Sequence, residues 1–173
     1  MIRPPFLSAF SAFWMFSAGA ASALSCVPVD PPLLFKRVHL AAESYVAVYG
    51  TLTFDPALLP KTDWEAQHST PQDTRIPAVM SGHSLDQNGF KTPFEAPVTL
   101  RVLCFGPWCA QPPANQPVMG FVQQNEGSFT LTTDPCGGDA FFQPSSEMLQ
   151  QIHTCFIGGD CESNLTRDIL PSE

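Results

Sequence analysis

The chain has 173 residues, with eight Lys and Arg against 16 Asp and Glu, a formal net charge of −8. That length suits one domain able to bury a core of its own. The charge repels phosphate backbones and anionic lipid, so nucleic acid and membrane surfaces are not expected partners. Only 14% of residues are charged and 18 are proline, which fits a loop-rich β-type domain better than a helical bundle.

The chain opens with Arg3, then an apolar, small-residue run over 6–23 that ends in Ala21-Ser22-Ala23. This predicts an export signal over 1–23. Its brevity and single basic residue fit bacterial export, so the expected location is periplasmic or secreted. No later apolar stretch reaches the ~18–20 residues of a membrane span, so no stable insertion is expected after cleavage. All six cysteines, Cys26, Cys104, Cys109, Cys136, Cys155 and Cys161, follow the signal. An even count in an exported chain predicts disulfides rather than a thiol site. Their spacing matches no zinc pattern, and no metal is expected.

Asp30-Pro31-Pro32 predicts a helix start, because Asp30 can cap the free amide hydrogens and Pro31 suits the first turn. Leu34, Val38 and Ala42 continue it at four-residue spacing, giving a helix over 31–42. Ser44 to Phe54 is crowded with aromatic and β-branched residues and predicts a long strand, with a bulge or bend at Gly50. Residues 55–74, with three prolines and Trp64, read as a surface loop. A second strand is expected over 75–85 and a turn over 86–89. A third strand runs over 94–105, where Val98, Leu100, Val102 and Cys104 share one face and Cys104 points inward.

Residues 106–117 form a proline-rich connection carrying Trp108 and Cys109. A hairpin of strands 118–122 and 128–133 follows, then a tight turn over 134–138. Ser145 or Ser146 caps a second helix, whose stripe is Met148, Leu149, Ile152, Cys155 and Phe156. Gly158-Gly159 ends it. Residues 162–173 lack periodicity and read as a disordered tail. The order helix, five strands, helix predicts a mainly β domain over 24–161, a five-stranded closed barrel with one helix at each end of the chain packed on it.

Several stretches together resemble the netrin-like module, the OB-type fold shared with tissue inhibitors of metalloproteinases. They are Ser25-Cys26-Val27-Pro28 after the signal, the helix leading into Tyr45–Gly50, Gly106-Pro107-Trp108-Cys109, Thr133–Gly137, and a last helix ending in Cys155 and Cys161. The resemblance implies an OB barrel, a disulfide-held N-terminus and a protein-binding rather than enzymatic role. In the inhibitors the mature chain starts Cys-x-Cys, and its first residue coordinates the target's zinc. Here Cys26 has no second cysteine nearby. Cleavage after Ala23 leaves Leu24-Ser25 in front of it, whereas cleavage after Ser25 exposes it.

Six cysteines allow 15 pairings. Short spacings permit Cys104–Cys109 and Cys155–Cys161, which leaves Cys26 with Cys136. The alternative, Cys26–Cys109 with Cys104–Cys136, is closer to the netrin-like arrangement. His39, His68, His83 and His153 are scattered, no Gly-x-Ser-x-Gly elbow is present, and no cofactor is expected. Trp108, Phe141 and Phe142 either plug the barrel ends or face a partner, and Trp64 is a second recognition candidate. The expected function is a non-enzymatic module binding a protein at the cell envelope or exterior, with Cys26, Trp64, Trp108, Phe141 and Phe142 as candidate contacts. The alternatives are a metalloproteinase inhibitor acting through the Cys26 segment and a small hydrolase.

Overall fold

The computed structural model describes residues 24–27 and 30–163; the expected signal 1–23 and residues 164–173 of the expected tail lie outside them. Helix α1 spans Pro31–His39, and the Leu33 amide donates to Asp30 Oδ1 at 3.2 Å, the predicted cap. It ends three residues short of the predicted Ala42, where residues 40–43 turn the chain into the first strand. Helix α2 spans Ser146–Phe156 with Ser145 as its cap.

Seven strands form among the described residues: β1 Ser44–Phe54, β2 Asp73–Asp86, β3 Gly89–Phe105, β4 Trp108–Cys109, β5 Gln116–Asn125, β6 Ser128–Thr133 and β7 Ala140–Phe142. The five long ones are those expected from sequence. β4 and β7 are additional, and too short to leave a periodic signal. β1 pairs antiparallel with β2 on one side and β5 on the other. β2 pairs antiparallel with β3, β3 pairs parallel with β6, and β6 pairs antiparallel with β5. The pairings therefore return to their start as a ring, with β7 added to β5 and β4 to β3.

Two apolar clusters hold this sheet. One contains Val48, Leu52, Ile76, Met80, Leu100 and Val102. The other joins Leu34 and Val38 of α1, Met119 and Phe121 of β5, Phe141 of β7 and Ile152 of α2. β5 serves both, since successive side chains point to opposite faces: Val118 and Val122 enter the first cluster, Met119 and Phe121 the second. That double burial explains its unbroken apolar run. Val98, Leu100, Val102 and Cys104 are all buried, as their alternation predicts. In α2, Ile152 and Cys155 are buried but Phe156 is exposed.

The expected bulge at Gly50 is absent, and both β1 ladders keep constant register through it. Gly50 instead faces Gly82, and a Cβ on Gly50 would lie 2.1 Å from the Ser81 carbonyl oxygen. The glycines permit a close approach of two backbones, the other meaning of a strand glycine. The irregularity falls at Ser84/Leu85, on the β2–β3 ladder.

Three disulfides close the structure: Cys26–Cys136, Cys104–Cys109 and Cys155–Cys161. The alternative pairing of Cys26 with Cys109 and Cys104 with Cys136 is overturned. Cys104 and Cys109 face each other directly across the β3–β4 ladder, so the local bridge needs no rearrangement. No helix among the described residues is long and apolar enough to cross a membrane.

Candidate binding groove

Five separate stretches meet around an open groove of about 650 Å³. They are the N-terminal segment at Leu24, the loop between β1 and β2, the connection from β3 through β4, the turn after β6, and β7 at Phe142. Trp64, Trp108 and Phe142 line it, with Pro107, Pro112 and Pro135.

Polar bonds fix the three loop stretches. The β3–β4 turn is possible because Gly106 adopts a φ of +61°, a value that favours glycine. The Gln72 side chain clamps that glycine from both sides: its amide donates to the Gly106 carbonyl at 3.2 Å, and its oxygen accepts from the Gly106 amide at 3.2 Å. The Thr62 hydroxyl donates to the Pro107 carbonyl, and the Gln111 amide to the Pro60 carbonyl at 3.3 Å. These bonds bring two loops about the groove although 45 residues separate Thr62 from Pro107.

Asp63 accepts from the amides of Glu65 and Ala66 at 2.9 and 3.1 Å, folding the chain tightly around Trp64. Trp64 is left 63% exposed, unusual for so large an apolar ring. In the turn after β6, Asp134 accepts from the Cys136 amide at 2.7 Å. A Cβ on Gly138 would stand 2.8 Å from the Thr132 carbonyl, and its φ of +71° is in the glycine region. The turn thus doubles back against β6 and presents Cys136 to Cys26, which holds Leu24 at the groove.

The groove brings together three of the five contacts expected from sequence, Trp64, Trp108 and Phe142; Cys26 does not line it, and is bonded to Cys136 between the lining residues Pro135 and Gly137. Phe141 goes elsewhere. It is 8% exposed and packs in the helix-covered cluster, because neighbouring residues of β7 point to opposite faces. Sequence reading missed Thr62, Gln111 and the three proline walls, since their meeting depends on pairings distant in the chain.

Charge is unevenly placed. Among the described residues, Asp134 is the one charged residue lining the groove. Behind β5, Arg37 donates to Asp139 at 2.7 Å and to the Gly138 carbonyl at 2.9 Å. Burial nevertheless pushes the Asp139 carboxyl above its usual range, Arg37 offsetting only part. Burial also raises the Tyr45 phenol, helped by Asp139 and Glu43. Arg101 donates two hydrogen bonds to Asp73 and holds its carboxyl below the ordinary value.

The histidines stay apart: His39 stacks on Phe35 with centroids 5.7 Å apart, and His153 meets the Gln87 carbonyl at 3.1 Å. Among the described residues no group of three His, Cys, Asp or Glu side chains converges to hold a metal ion. No protein-family model, curated protein or solved structure matches this chain.

Proposed function

We propose that this chain is an exported, non-enzymatic protein-binding module of the cell envelope, and that the groove is its contact surface. The observation that carries the reading is the convergence of Trp64, Trp108 and Phe142 on one open concavity held by loops and disulfides. Aromatic side chains dominate the binding energy of protein interfaces. Loops on a rigid scaffold are the usual carriers of recognition. The scaffold is read as an OB-type, netrin-like barrel. In support, five long strands pair in a ring, with β1 between β2 and β5 and one parallel contact, β3 to β6. A five-stranded Greek-key barrel has this character. Three disulfides suit an oxidising compartment.

The test is affinity capture from envelope extracts with the wild-type chain and with Trp64→Ala, whose exposed side chain can be cut back without opening the core. A partner retained by the first and lost by the second is expected. Identical recovery from both would remove the groove from the reading. A second reading, inhibition of a metalloproteinase, draws on Cys26, which is exposed beside the groove. N-terminal sequencing separates the two: a start at Leu24 retires the inhibitor, and a start at Cys26 with loss of target activity favours it.

A further inference from the structure

Resting on that reading, we infer that the groove takes one class of segment: an extended, proline-containing peptide carrying an arginine or lysine, whose cation stacks on Trp64. Two observations lead there. The first is the aromatic anchor. Trp64 presents a largely exposed ring, and its chain neighbours Asp63 and Glu65 are exposed carboxylates. A cation over an indole face is attracted by the ring quadrupole, and two adjacent carboxylates strengthen the field. Asp134 adds a third negative charge in the groove wall. The stretches building the groove therefore favour a positive ligand and repel an acidic one.

The second observation concerns the walls. Pro107, Pro112 and Pro135 bring no amide hydrogen, so the groove offers few main-chain donors to a pairing strand. Ring faces from Trp108 and Phe142 complete the surface. Aromatic-lined grooves of this kind suit a polyproline helix, which needs no ladder partner and is ordered before it binds.

Trp64 and Trp108 both line the groove and are the two tryptophans among the described residues, so their fluorescence reports on it directly. The probe is a ten-residue proline-rich peptide with two arginines, titrated into the exported, oxidised protein. Saturable quenching or a spectral shift is expected. Roughly tenfold weaker binding is expected for the same peptide with glutamates in place of arginines, and for the Asp63→Asn, Glu65→Gln protein. Near-ultraviolet dichroism of that variant checks that its fold is kept.

Equal binding of a glycine–serine peptide with the same arginines would overturn the proline requirement. Equal binding of the glutamate peptide would overturn the cation. Loss of the signal on dilution of the protein alone would mean that a second copy occupies the groove. Absence of any peptide signal, while envelope capture still depends on Trp64, would overturn this inference and leave the protein-binding reading standing. If capture is also indifferent to Trp64, that reading falls as well.

Discussion

Two adjacent residues of β7 show two ways of using an aromatic ring. Phe141 lies under α1 and α2 with Met119, Phe121 and Ile152, sealed in a cluster of buried side chains. Phe142, the next residue, turns to the opposite face and borders the groove. The helix-covered side is held by apolar packing, with one local disulfide beyond α2. The groove side is loop, and two of the three disulfides, Cys26–Cys136 and Cys104–Cys109, lie there. Ala110 and Phe142 of the groove wall still pack with the first apolar cluster, and the two bridges add covalent ties where the loops themselves bury little.

The strongest test removes the long staple. Cys26–Cys136 spans 110 residues of chain, and on the loop-entropy model its removal costs roughly 4–5 kcal/mol. Urea unfolding of Cys26→Ala, Cys136→Ala should show that loss, and Leu24 should leave the groove. Removing Cys155–Cys161, with a separation of six, should cost only about 2 kcal/mol. Equal costs would mean that both bridges act through native-state packing rather than through the unfolded chain.

Next in size is Ile152→Ala, which empties a fully buried position between α2 and the sheet. It should cost roughly 3 kcal/mol in urea midpoints and leave groove binding intact. Coupled loss of groove binding would show that the two regions are not independent. Gly82→Ala comes third. Its Cβ would lie 2.2 Å from the Tyr49 carbonyl, so β1 and β2 must part, at about 1–3 kcal/mol. Thermal unfolding measures that cost, and no change would mean the two strands separate freely at this point.

Much of the fold was legible because it is written in short-range patterns. Asp30 and Ser145 announced the helices through capping, and the alternation from Val98 to Cys104 marked the inner face of β3. β4 and β7 were not legible, since two or three residues carry no period. No bulge forms at Gly50, whose reason lies on another strand, at Gly82. The aromatic residues of the groove could be named from their place in proline-rich loops. That they meet could not, because Thr62, Pro107 and Pro135 are distant in the chain and come together only in the completed fold. Phe141 and Phe142 were indistinguishable in sequence, and only the direction of β7 separates them.

The finest test sets the two arginine–carboxylate pairs against each other. Asp73 is held below its usual value by hydrogen bonds from Arg101, so its folded pKa lies under the unfolded one. Its stabilisation is complete above the unfolded pKa and is lost as pH falls through the folded pKa. The pair is more than a third exposed, so solvent limits it to about 0.5 kcal/mol. Asp139 has the opposite sign: burial raises its folded pKa above the unfolded one, despite Arg37. Its charge opposes folding above the folded pKa, and that penalty fades as pH falls to the unfolded pKa. Acidification should therefore first stabilise the protein, through Asp139, and then destabilise it as Asp73 is protonated. Urea midpoints taken from neutral pH downward should show Asp139→Asn without the early rise and Asp73→Asn without its share of the later fall. Should Asp139→Asn instead weaken the protein at neutral pH, the bond from Arg37 outweighs burial, and the helix-covered side is held by charge as well as by packing.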